Sequence, residues 1–416
     1  MDDPSAPRQL ALPIGEVAPS AGDVAPPEED PERIVVAPKV LIWARKTARL
    51  DEETARRRLG VSVENFARME AGEVPPTLRQ LRLAATAYGR PLAVLLLPEP
   101  PEDFDALRDF RAGHEARKGE TSHELTIEYR RALMQREVIL ELADFGVVPS
   151  APATPTFAIG LDHPAEDAGR LVRAWVGVDR TTWPEPRDAL TGWIAATEAQ
   201  GVLVMQTHRV KPEEVRGFSV SQWPHPVVAL NGSEFPRGRL FTLAHELAHL
   251  GLNAGGLCDL HEERRSDDLD DHIEMYCNAV AAAALMPRDA VLGVTAIARA
   301  AADRAWSTDD LDSLARPFGT SAESLLLRLV GLGRATWDLY RALKPDFQRL
   351  YGEAKDRQRE SEGGPSYYVV KARDLGPGYV RTVLEAYRGR TITSFDVADY
   401  LDVRYEQIPR LEAAAG

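Results

Sequence analysis

The sequence predicts a mostly α protein with a small β-sheet, an α+β chain of several units. Helical spacing of apolar residues, opened by Ser, Thr or Asp and closed by Gly or Pro, recurs along most of its length. Only two short β-branched runs between turn residues, at 201–205 and 226–231, read as strands. A chain of 416 residues also exceeds what one ordinary hydrophobic core organises, which implies two or three domains.

Residues 1–33 are rich in Pro, Ala, Asp and Glu without periodicity and are expected to form a disordered tail. Residues 34–97 read as a compact module of five short helices. Asp51 and Ser62 are natural N-caps there, Pro75-Pro76 ends one helix, and Thr77 opens the next. Residues 98–122 read as a connector, because Leu97-Pro98-Glu99-Pro100-Pro101 breaks the helix and Asp109-Phe110-Arg111 follows in polar surroundings. The main unit, 123–300, opens with helical spacing over 123–145 and passes a Pro/Ala-rich loop at 149–157. Helices follow near 167–176 and 186–200, then the two strands. The strands offer an edge on which an extended peptide could pair main chain to main chain, or they are simply core strands. Residues 301–345 have the rhythm of a small helix-turn-helix and read as helical packing around the main unit. Residues 346–416 read as an α/β accessory segment: charged over 346–362, strand-like over 367–370, then two helices, one starting at Ser394-Phe395.

Composition narrows the function classes. Hydrophobic residues at 44% with 27% charged are ordinary for a globular protein, and no apolar run approaches the length of a membrane span, about 18 residues. The start, Met1-Asp2-Asp3-Pro4, has neither a basic nor an apolar leader region, and two cysteines, Cys258 and Cys277, make no disulfide framework. A cytoplasmic protein is therefore expected. The net charge of −14 disfavours a polyanion binder as a whole. Residues 34–97, however, hold 11 Lys and Arg against 6 Asp and Glu, a local +5 through which this module could meet DNA.

The strongest chemical signal is His245-Glu246-Leu247-Ala248-His249, set between Phe241, Leu243, Ala244 and Leu250 in an apolar helical run. Residues four apart lie on one helix face, so His245 and His249 can bind one metal ion while Glu246 beside them acts as a base and not as a ligand. Chance yields the pattern roughly 0.015 times in such a chain. A solvated surface pair is the bland alternative, but the apolar flanks leave little polar face, and buried His and Glu need partners.

A catalytic zinc takes three protein ligands. The metzincin continuation is excluded, because its Gly and last His positions are occupied by Leu252 and Gly255. The remaining candidates are His261, His272, Glu274 and the carboxylates over 267–271. Glu274 is favoured, since Ile273-Glu274-Met275-Tyr276-Cys277-Asn278 opens a helix of small and apolar residues that would bury the carboxylate and, one turn on, Asn278, which would then hold Glu274 or a helix end from the second shell. The polar stretch 259–271 reads as a solvated loop. Tyr276 and His272 are candidates for oxyanion donor.

Two resemblances follow from these residues. The segment from Ala44 through Gly60-Val61-Ser62, with Met69-Glu70-Ala71-Gly72 and Pro76-Thr77-Leu78, resembles the XRE or Cro-type helix-turn-helix family, in which the helix after Gly-Val-Ser enters the major groove. On that resemblance Arg45, Arg68 and Arg79 are the candidate DNA contacts. The would-be recognition helix carries Arg68 against Glu64 and Glu70, which leaves target docking or a homodimer as the alternative role of the module. The HExxH run, the helix from Ile273 to Pro287, and Arg216-Gly217-Phe218 with Val227-Val228-Ala229-Leu230-Asn231 resemble the ImmA/IrrE family of metallopeptidases, over roughly residues 38–345. That resemblance implies His245, His249 and Glu274 as metal ligands, Glu246 as catalytic base, Zn2+ as the metal with Mn2+ as alternative, and a protein substrate of the XRE-type repressor or antitoxin kind in stress response or mobile-element control. The competing expectations are a DNA-binding transcriptional regulator whose metal domain is structural or sensory, and a docking protein on a degenerate peptidase fold.

Overall fold

The computed structural model describes residues 33–101, 122–148, 152, 156–254, 267–301, 303–360, 364 and 366–415. Residues 1–32 of the tail expected over 1–33, residues 102–121 of the connector expected over 98–122, with Asp109-Phe110-Arg111, and Cys258 and His261 lie outside the described residues. Among those described, the chain is mostly helical with one three-stranded sheet.

Five helices open it: α1 (Pro38–Thr47), α2 (Glu52–Leu59), α3 (Val63–Glu70), α4 (Leu78–Tyr88) and α5 (Leu92–Leu95). Asp51, Ser62 and Thr77 each cap the next helix by accepting a backbone N–H, and Gly60 and Gly89 end α2 and α4 in the left-handed conformation. Their apolar faces close a core of Leu41, Ala44, Leu59, Phe66, Leu81 and Tyr88. Arg45 does not face outward. It is buried and forks onto Glu70 at 2.7 and 2.9 Å while donating to the Leu50 carbonyl, so its cation is spent inside the module and the expected DNA contact is corrected. Arg68 and Arg79 are exposed.

Helix α6 (His123–Asp144) is the strut of the molecule. Its first turns dock on the helical module: His123 Nδ1 donates to the Ala48 carbonyl at 2.7 Å, and Arg130 donates to the carbonyls of Tyr88 and Thr47. Its middle packs Leu125, Tyr129 and Ala132 against one face of the sheet. Arg131 then reaches the carbonyls of Gln206 and Asp374, and Gln135 that of Leu375.

Helices α7 (Ala165–Val176) and α8 (Pro186–Ala199) lead to the sheet β1 (Leu203–Thr207), β2 (Gly217–Val220), β3 (Val227–Asn231), ordered β1-β3-β2. The central β3 is buried throughout, runs parallel to β1 and pairs antiparallel with the edge strand β2. Side chains alternate across it. Val227, Ala229, Phe218 and Val220 face α6, whereas Val204, Val228 and Leu230 face the main core beneath α9 (Pro236–Ala254). Two strands were expected, and β2 is the one not foreseen.

Helix α10 (Asp267–Leu285) lies against both α7 and α9. Its small residues allow near backbone contact: a Cβ on Gly169 of α7 would come within 2.7 Å of Ala283 and 2.8 Å of the Ala284 nitrogen. The stretch 267–271, expected as part of a loop, belongs to the start of this helix.

The short α11 (Arg288–Leu292) and α12 (Thr295–Ala298) precede α13 (Thr308–Ala315) and α14 (Ala322–Gly331), and α15 (Trp337–Glu360) continues as one long helix. Helices α16 (Tyr367–Leu375), α17 (Pro377–Arg388), α18 (Ser394–Tyr400) and α19 (Ile408–Ala415) form a separate apolar cluster with the end of α6. The strand expected over 367–370 is therefore helix. Ser366 caps it, and packing of Ala372 and Leu375 against Val380 and Leu142 overrides the β preference of Tyr367-Tyr368-Val369-Val370. No helix among the described residues is long and apolar enough to cross a membrane.

Candidate metal centre

Helix α9 carries the HExxH residues, and its burial dictates their direction. Leu243, Ala244, Leu247 and Ala248 sit fully in the main core, so the turn between them presents His245 and His249 to the opposite side. There α10 brings Glu274. The His245 and His249 Nε2 atoms are 3.0 Å apart, with Glu274 Oε2 at 3.3 Å from the first and Oε1 at 3.2 Å from the second. Of the ligands named from the sequence, these three are brought together, and they are the described group able to hold a metal ion.

The donor set fits zinc. Zinc bonds of about 2.05 Å in a tetrahedron would separate neighbouring ligand atoms by about 3.3 Å. The two Nε2 atoms are 3.0 Å apart, and one ligand atom from each of the three residues lies within 4.8 Å of the others, close enough to converge on one ion. Burial acts to raise the Glu274 carboxyl, but hydrogen bonds with His245 and His249 outweigh it and hold the carboxyl well below the usual range. Asn278, one turn beyond Glu274, has its Oδ1 at 3.1 Å from His245 Nδ1. The expectation placed Asn278 on Glu274 or a helix end, and the contact the structure gives it is with His245. With Nδ1–H donating to Asn278, His245 could present its Nε2 lone pair to a metal ion in place of the hydrogen bond to Glu274.

Glu246 reaches the edge strand β2. It is 7% exposed, and Ser219 Oγ donates to its Oε2 at 2.8 Å. Gly217 gives the helix room: a Cβ there would collide with Thr242 Cγ2 and reach 2.9 Å from the Ala229 carbonyl oxygen. The oxyanion candidates do not reach this point. Tyr276 donates its hydroxyl to the Gly160 carbonyl at 2.8 Å, and neither Tyr276 nor His272 lines the cleft.

The cluster opens into a cleft of about 2280 Å³, bounded by β2, α9, α10 and, on the far side, α14 and α15. Two features of it were not read from the sequence. Ser219 lies 27 residues from Glu246, and only the Phe218/Val220 alternation hinted at its face. The wall built by α15 is the other: Tyr351 donates to Glu234 Oε1 at 2.9 Å and packs perpendicular to Phe235.

These residues form a group that could hold a metal ion on the wall of a cleft, and the part of the chain that carries them is similar to known metalloproteases. Residues 197–330 match the family profile of the IrrE N-terminal-like domain, a stretch that holds β1 to β3, α9 and α10. Among curated proteins, the radiation response metalloprotease IrrE of Deinococcus deserti is 42% identical over 69 residues, 16% of this chain and 25% of the relative. The protein of the same description from Deinococcus radiodurans is 38% identical over 69 residues, 16% of this chain and 21% of the relative. The chain thus spans a quarter or less of the length of these relatives.

Proposed function

We propose that this protein is a zinc-dependent endopeptidase that cleaves a regulatory protein, of the repressor or antitoxin kind, in stress response or mobile-element control. The observation that carries the reading is the convergence of His245, His249 and Glu274, close enough together to hold one ion, on the wall of an open cleft, with Glu246 alongside. In this reading the three residues are the metal ligands and Asn278 orients His245. Two nitrogens and one carboxylate suit zinc, with manganese as the alternative ion.

A bound zinc supplies Lewis acidity toward a carbonyl group and a water molecule. The remaining chemistry belongs to the chain. Glu246, which lines the cleft and is held on one oxygen by Ser219, takes the proton of the attacking water and returns a proton to the departing amine. A structural metal site would need the ligands but no such base. In this reading an extended substrate would run along the edge strand β2, beside Glu246.

The helical module is read as the targeting element. It docks on α6 through the ends of α1, α2 and α4, which leaves Val63, Glu64, Asn65 and Arg68 of α3 exposed. An XRE-type repressor or DNA would meet that face, and a homodimer could form through it. A Glu246→Gln protein, able to bind but not cut, tests the reading as a trap. It should co-purify with a repressor-type or antitoxin protein that the wild type cleaves. Recovery of DNA alone, with every captured protein left uncut, would favour a transcription regulator with a structural metal.

A further inference from the structure

We infer that Ser219 is a positioning residue for Glu246, holding the carboxylate at the metal end of the cleft. Its kinetic consequence rests on the peptidase reading, whereas the positioning itself does not. In the antiparallel pairing, Ser219 stands opposite Val228 and Phe218 opposite Ala229. Phe218 and Ala229 face α6, so Ser219 is turned by the strand period to the face covered by α9. There its hydroxyl is 2.8 Å from Glu246 Oε2. The other oxygen, Oε1, lies 3.7 Å from where a Cβ of Gly217 would be, two residues back on the same face. One strand therefore treats the two carboxylate oxygens differently: Ser219 restrains one, and Gly217 leaves room at the other.

A glutamate has three side-chain torsions, and Leu243 and Leu247 on the neighbouring turns of α9 lie in the core, so the contact with Ser219 is what ties the carboxylate to the strand. A hydroxyl hydrogen bond to an ionised group is short and directional, so it selects one placement. A base that strays by about 1 Å loses up to about 100-fold in rate, so removing the hydroxyl should lower turnover by roughly 10-fold to 100-fold. Substrate contacts and metal ligands stay in place, which confines the loss to kcat.

The test compares zinc-loaded wild type, Ser219→Ala and Ser219→Thr, each by crystal structure and by kinetics on the quenched fluorescent peptide that the wild type cuts fastest in a random library. The expected result is a single Glu246 conformer in wild type and Ser219→Thr, and a displaced or split one in Ser219→Ala. The latter should have reduced kcat with KM and zinc affinity unchanged, and Ser219→Thr should restore kcat. An unmoved single conformer in Ser219→Ala overturns the inference, as does a loss that Ser219→Thr does not restore. Displacement of Glu246 in proteins that cut no peptide upholds the positioning and sinks the peptidase reading instead.

Discussion

Replacing Glu198 with Gln should remove a pH dependence from the joint between the sheet and the C-terminal helices. Glu198, near the end of α8, accepts the Gly378 N–H at 2.9 Å in the first turn of α17, and Gly378 is required because a Cβ there would lie 2.6 Å from the carboxyl carbon. Burial raises its carboxyl from 4.5 to about 7, even against the Gly378 hydrogen bond and the nearby Arg381. The folded protein therefore holds this proton more tightly than the unfolded chain. The stability it contributes is fully present below pH 4.5 and is lost as pH rises through about 7. At about 1.4 kcal/mol per pH unit the shift amounts to about 3 kcal/mol. Gln keeps an oxygen acceptor for Gly378 and carries no charge to bury. Urea unfolding of both proteins from pH 4 to 8 measures the difference, in which the other titrating groups cancel. Glu198→Gln should match the wild type near pH 4 and gain stability, by up to about 3 kcal/mol, toward pH 8. A constant difference across that range would refute the reasoning.

Other outcomes follow from named contacts. Asn278→Ala frees His245 Nδ1 and should weaken zinc affinity about 10-fold to 100-fold in competition with a chelator, with an unchanged constant counting against its role. Arg130→Met strands the Tyr88 and Thr47 carbonyls at the joint between the helical module and α6. It should cost about 2–3 kcal/mol and speed limited proteolysis between the two, so wild-type resistance would speak against that joint. Gly169→Val forces a side chain into Ala283 and the Ala284 backbone and should destabilise by about 1–3 kcal/mol or more, read as a lowered Tm.

The sequence made the helical module legible because caps are local: Asp51, Ser62 and Thr77 act within three residues of themselves. The HExxH turn was legible for the same reason, since its spacing is that of one helix. What was not legible depended on distant chain. Arg45 looks like a surface cation until Glu70, 25 residues away, folds against it. Tyr367-Tyr368-Val369-Val370 has strand propensity, but it lies where a helix packs on β1 and α19. Strand β2 is four residues long and contains Gly217 and Ser219, neither a strand former, and only pairing with β3 makes it a strand. That same pairing sets Ser219 against Glu246, a contact no local pattern encodes.

The central claim is that one zinc ion, held by His245, His249 and Glu274, serves peptide hydrolysis with Glu246 as base. Zinc content measured alongside cleavage, for wild type, Glu246→Gln and Glu274→Ala, tests it most directly. The account predicts about one zinc per chain in the first two, cleavage by the wild type alone, and neither zinc nor cleavage in Glu274→Ala. Cleavage by Glu246→Gln at the wild-type rate, or full zinc content in Glu274→Ala, would contradict it.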